Sequence, residues 1–270
     1  MPTGACKMCL LQKELRSSHF IPSAMYKYCY RGDHRPIRFG GGFVLPTDRQ
    51  TQDYLLCGEC EGILNEGGET YVADKLATWE RTFPLFADLT AVPPEFNEGG
   101  MVVFFASKTP KVEVDKLIHF AMGMFWKASV HSWKGDVKEP RIDLGPYSEP
   151  VRKWLRKEAS FPEHVYLTAI VSPPERAQIT INDPYEGVRK EWRTFLLHVS
   201  GLLFMLSVGK TADDGLRWLC LARNPSKPVM IAETITGQFE RLLAETFNTA
   251  YKTKPFLEAM KKVEEERKKS

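Results

Sequence analysis

Apolar and polar positions alternate, cluster and lapse along this chain in a way that predicts strands at its start, one long helix near its middle and a block of strands after it. Phe20 and Ile21 supply strand-like bulk before Pro22, which ends pairing. Tyr54 to Leu56 reads as a short apolar strand, followed by a helical turn or two that Gly67 and Gly68 interrupt. A helix is expected from Glu69 through Trp79. Met101 to Ala106 reads as a buried strand. From Val112 to Trp133, Leu117, Phe120, Ala121, Met124, Phe125 and Ala128 recur at helical spacing, which marks a long helix central to the core.

Beyond it, Tyr147 to Glu158 reads as a short amphipathic helix with Arg152, Lys153, Arg156 and Lys157 on its exposed side. Val165 to Val171, Gln178 to Asn182, Thr194 to Val199, Leu202 to Val208, Arg217 to Ala222 and Val229 to Ala232 are strand candidates, with Ser200 and Gly201 as a turn. Gly237 to Tyr251 is helical by spacing, Pro255 opens a second helix, and Lys261 to Lys269 is a mixed-charge tail expected to fray. The expected fold class is α+β: a small N-terminal domain over 1–82, then a larger domain over 83–270 with a mainly antiparallel sheet packed against helices. Pro93, Pro94, Gly99 and Gly100 mark the change between them.

With 270 residues the chain is long enough for these two units. A net charge of +3 neither supports nor excludes nucleic acid as a partner. Met1 to Ala5 has no basic region followed by an apolar stretch, and the longest apolar run, Phe195 to Val208, is shorter than a bilayer span of roughly 20 residues. A cytoplasmic protein without membrane segments is therefore expected, with a protein partner or self-association through the C-terminal domain left open.

The cysteines change the picture most. Cys6 and Cys9 form one C-x2-C pair and Cys57 and Cys60 a second. In a reducing compartment two such pairs point to a metal rather than to disulfides, and four thiolates suit tetrahedral Zn²⁺. A domain of some eighty residues with a Gly-, Arg- and Pro-rich insertion over 30–53 has little core of its own and needs such a staple. That insertion reads as a long loop or hairpin. Cys29 and Cys220 stand alone and are taken as packing residues. His119 and His131, twelve positions apart on one helix, cannot share a metal and are assigned to core or surface. No Walker-type phosphate loop precedes Lys210, and no Gly-x-Ser-x-Gly occurs.

Taken in order, a C-x2-C pair, Ser18-His19 with Pro22 three residues on, and Leu56-Cys57-x2-Cys60 opening a helix resemble the zinc-stabilised branch of the HNH, or His-Me finger, endonucleases. The resemblance covers roughly Cys6 to Asn65. It implies a treble-clef-like ββα fold, structural zinc on Cys6, Cys9, Cys57 and Cys60, and nucleic acid, usually DNA, as substrate. It also implies His19 as the general base of metal-dependent phosphodiester hydrolysis. Ser18, Gln52 and Glu61 depart from the family's usual metal ligands. Glu61 with Asn65, Asp53 or Gln52 is the set left to hold a catalytic Mg²⁺ or Mn²⁺. The alternative is a zinc-stabilised nucleic-acid- or protein-binding module without chemistry, in which His19 bonds to backbone and orders its loop.

Overall fold

A computed structural model of the chain describes residues 1–30, 35–40, 43–133, 142–187 and 192–267. In chain order the N-terminal elements are strands β1 (Thr3–Ala5) and β2 (Gln12–His19), helix α1 (Ser23–Tyr26), and strands β3 (Ile37–Gly40), β4 (Phe43–Pro46) and β5 (Gln52–Cys57). Helices α2 (Gly58–Leu64), α3 (Thr70–Ala73) and α4 (Pro84–Thr90) follow. Next come strands β6 (Phe96–Glu98) and β7 (Met101–Phe105) and helices α5 (Val114–Val130) and α6 (Ser148–Leu155). Strands β8 (Val165–Val171), β9 (Ile181–Gly187), β10 (Arg193–Val199) and β11 (Leu202–Val208), helix α7 (Asp214–Trp218), strand β12 (Pro228–Ala232), helix α8 (Glu233–Thr249), strand β13 (Tyr251–Lys252) and helix α9 (Lys254–Arg267) complete it.

The fold class is α+β, as the pattern predicts. Seven strands form one sheet in the order β6-β7-β12-β8-β11-β10-β9, and only the β12–β8 contact is parallel. β1, β2 and β5 form a separate antiparallel sheet at the N-terminal end. The 30–53 insertion contributes a hairpin, β3 with β4, to which β13 adds in parallel. Part of its Gly40-Gly41-Gly42 run lies outside the described residues, as do residues 31–34.

Helix α5 organises the packing. From Leu117 to Ser129 every one of its residues is buried, Phe120, Phe125 and Trp126 fully so, and only its first turn, at Asp115, reaches solvent. Such a helix has no side to offer solvent, so it must be enclosed. The large sheet covers one side, with Phe120 against Phe204 of β11 at 6.0 Å between ring centroids. The helical run from Gly58 to Ala73 and helix α6 cover the rest. Glycine permits that closeness: a Cβ on Gly68 would lie 2.2 Å from the Lys116 carbonyl, and one on Gly67 2.2 Å from the His119 ring. The run kinks at Gly68, where the sequence expects an interruption, passes through a wide π-helical turn over Asn65–Glu69, and resumes as α3. The largest cluster of buried residues therefore runs from Cys6 to Val229 and draws on both sides of position 82, with smaller clusters beside it.

Several local expectations shift. The helix after Glu69 stops at Ala73 instead of Trp79, because Leu76 and Ala77 turn inward and the Ala77 amide bonds to the Ser200 carbonyl at 3.0 Å. Arg217 to Ala222 is not a strand. Asp213 caps helix α7 there, its carboxylate accepting from the Leu216 amide at 2.6 Å, and this cap outweighs the apolar spacing. The 178–182 strand begins later, at Ile181. Gly99 and Gly100, with φ of 59° and 77°, form the turn of the β6–β7 hairpin. Helix α9 continues through Arg267, so the charged tail is helical as far as it is described.

His198 of β10 is fully enclosed, its Nδ1 3.1 Å from the Thr180 hydroxyl and its ring 4.5 Å from that of Phe239 on α8. Burial holds its pKa down at about 3. The unfolded imidazole titrates near 6.5, so the unfolded state binds the extra proton below that pH and stability falls as pH drops from about 6.5 toward 3. Between pH 7 and pH 5 this site alone should remove about 2 kcal/mol of unfolding free energy. Urea titrations at both pH values test it: His198→Gln should lose less stability than the native chain by that amount, and parallel losses would contradict a neutral buried His198.

Candidate metal centre

The four cysteines meet although two lie some fifty residues from the others. β1 leads into Cys6, and the chain folds back at once: the Cys6 amide bonds to the Leu11 carbonyl at 3.0 Å and the Leu10 amide to the Cys6 carbonyl at 2.8 Å. Leu10 takes a left-handed backbone, φ 65°, to close this knuckle. A Lys7 amide bond to the Leu55 carbonyl, 3.1 Å, fixes the knuckle against β5. β5 delivers Cys57 to its end, and Cys60 follows in the first turn of α2. The Cys57 amide points at Cys6 Sγ, 3.4 Å away. Cys9 Sγ and Cys57 Sγ are 3.9 Å apart, and all four sulfurs lie within 4.8 Å of one another. This cluster could hold a metal ion.

Its electrostatics say the same. A hydrogen bond from Cys60 holds the Cys6 thiol down at about 4, and the reverse interaction together with burial pushes Cys60 up. Burial also raises Cys9. Four sulfurs this close compete for protons, a conflict that a divalent cation removes by accepting all four as thiolates. The cysteines outside the cluster behave as packing residues: Cys220 is buried beside Tyr166, and burial raises the Cys29 thiol to about 11.

Helix α6 closes the outside of the centre, which the sequence does not reveal. Arg152 is buried, not exposed: Nη1 donates to the Met8 carbonyl within the knuckle at 2.6 Å, while Nε and Nη2 grip both oxygens of Glu149 at 2.7 and 2.8 Å. Arg156 is half-buried and donates to Cys60 Sγ at 3.6 Å and to Glu158 at 2.5 Å. Only Lys153 and Lys157 of that basic group face solvent. On the other flank, Lys13 pairs with Glu59 at 2.6 Å.

The remaining site residues predicted from sequence are dispersed. His19 ends β2 and pairs across the ribbon with Gln52, as Ser18 pairs with Asp53. Successive strand residues point to opposite faces, so Gln52 shares a face with His19 and Asp53 does not. The Ser18 hydroxyl is buried and accepts from the Leu56 amide at 3.3 Å. Asp53 is bonded to His131 Nε2 at 3.0 Å, Gln52 accepts from the Ser17 hydroxyl at 3.2 Å, and Asn65 accepts from the Thr70 hydroxyl at 2.8 Å. Glu61 Oε1 is buried without a hydrogen-bond partner. Among the described residues the cysteines are the only group of three or more His, Cys, Asp or Glu side chains gathered tightly enough for a metal. His119 and His131 are separated as expected, His119 Nε2 lying 3.1 Å from the Leu155 carbonyl.

Beneath His19 lies a buried ion pair absent from the sequence reading. Lys127 of α5 is 2% exposed; its Nζ lies 3.0 Å from Glu69 Oε1 and 3.2 Å from the His19 carbonyl. The signal is a lysine within the run from Phe120 to Ala128, which is otherwise without a polar side chain, and such a lysine demands a partner. No described helix is long and apolar enough to cross a membrane. Comparisons with protein-family models, curated proteins and solved structures find no match to this chain.

Removing one member of the Lys127–Glu69 pair strands the other charge in the core. Lys127→Met should lower unfolding free energy by about 3–5 kcal/mol in denaturant titrations, and adding Glu69→Leu should restore a large part of it. A loss under about 1 kcal/mol would mean that water reaches the pair.

Proposed function

We propose that the four cysteines hold structural Zn²⁺ and that the chain is a zinc-stabilised, HNH-like binding module for a nucleic-acid or protein partner in the cytoplasm. Tetrahedral zinc with Zn–S bonds of about 2.3 Å requires sulfurs about 3.8 Å apart, close to the 3.9 Å between Cys9 and Cys57. An all-thiolate set leaves no open coordination position, which makes the ion a staple and not a reagent. One observation carries the choice of binding over cleavage: among the described residues no group of three or more His, Cys, Asp or Glu side chains other than the cysteines is gathered tightly enough for a metal, and Asp53 lies on the strand face opposite His19.

The orphaned oxygen of Glu61 supports a second reading, the metal-dependent endonuclease. A carboxylate at that position would hold Mg²⁺ or Mn²⁺, which when bound stabilises negative charge on a phosphodiester. His19 would accept a proton from the attacking water. Its backbone is already fixed by Lys127, which favours a defined ring position.

Zinc analysis of the folded chain should return close to one ion per chain, and chelation should unfold it, since structural zinc contributes on the order of 10 kcal/mol. Cys57→Ser should do likewise, and because the core is continuous the loss should extend to the large sheet. Folded material free of metal would remove the proposal. Oligonucleotide and plasmid cleavage in Mg²⁺, Mn²⁺ or Ni²⁺ separates the two readings. The binding module cuts nothing, whereas cutting that disappears in His19→Ala would establish the endonuclease.

A further inference from the structure

We infer that helix α6 is the outer wall of the metal centre, and that Arg156 and Arg152 set how tightly the metal is held. The inference rests on the metal reading proposed above. A divalent ion with four thiolates carries a net charge of −2, and cations placed beside the sulfurs offset it. Arg156 is such a group, its Nη1 3.6 Å from Cys60 Sγ. A hydrogen bond into a metal-bound thiolate withdraws electron density and makes that sulfur less prone to protonation and departure.

Arg152 acts differently, because it touches no sulfur. Its Nη1 bonds to the carbonyl of Met8, the residue before Cys9, and Glu149 locks the guanidinium from the opposite side through two parallel bonds. Both Met8 and Arg152 are buried, so water does not weaken this bond. Cys9 is the one ligand of the four that is not buried. Holding its neighbour's carbonyl therefore holds the most accessible thiolate in place. The two arginines are positioning residues with separable duties: Arg156 on the charge of the sulfur, Arg152 on the geometry of the knuckle.

Substituting Co²⁺ for Zn²⁺ in the full-length chain separates those duties, since thiolate-to-cobalt charge transfer reports on sulfur electronics and release to a chromogenic chelator reports on retention. Arg156→Gln should shift the charge-transfer band and speed release at least about tenfold. Arg152→Gln should speed release comparably and leave the band in place. Lys153→Gln, on the solvent side of the same helix, should change neither. If Arg156→Gln fails to fold, Arg156→Lys carries the test: it keeps the charge but loses the planar fork, and its release rate should fall between those of the native and Gln proteins. Native protein that binds Co²⁺ with variants matching it in spectrum and release would overturn this inference and leave the metal reading intact. Native protein that binds no metal would overturn both.

Discussion

One constraint governs this fold: helix α5 is buried on every side from Leu117 to Ser129 and must be surrounded. A seventeen-residue helix of that kind cannot lie on a sheet with its back to water, as an amphipathic helix does. The seven-stranded sheet fills one side, and the N-terminal ββα unit, extended by the kinked run from Gly58 to Ala73, fills much of the other. The cysteine frame is thus more than a staple for a small peripheral piece. It shapes a surface that the central helix requires.

The same constraint explains where polar groups occur in the core. Lys127 cannot escape to solvent from α5, so Glu69 and the His19 carbonyl come to it. That triple contact joins the helix to the end of β2 and to the turn following the Gly68 kink. A buried charge pair is weak evidence for net stability, but it penalises any register in which the partners miss each other. Arg152 does the equivalent at the far end of the interface, between α6 and the Met8 carbonyl.

Local chemistry was legible in the sequence. Alternation and apolar runs located β7, β8, β10, β11 and β12, the 3.6-residue period located α5, and two C-x2-C pairs located the four cysteines that cluster, because each signal is contained in a short window. What the sequence hid depends on contacts between distant windows. Arg152 and Arg156 read as an exposed basic face because nothing in their own helix shows that a thiolate cluster lies against it. Asp213 caps α7, a local signal that competes with the apolar residues of the 217–222 segment and wins. For the candidate second-metal residues, cross-strand pairing and neighbours such as His131 and Thr70 decide what each oxygen is free to do, and those partners lie beyond any motif.

The contact between Arg156 and Cys60 joins residues 96 positions apart. During synthesis Cys60, the last of the four clustered cysteines, therefore leaves the ribosome well before the arginine that will cover it. At about 5–20 residues per second the interval is roughly 5–20 s. For that time the four sulfurs stand without that cover. The order of the chain alone therefore delivers the four sulfurs first and their cover second.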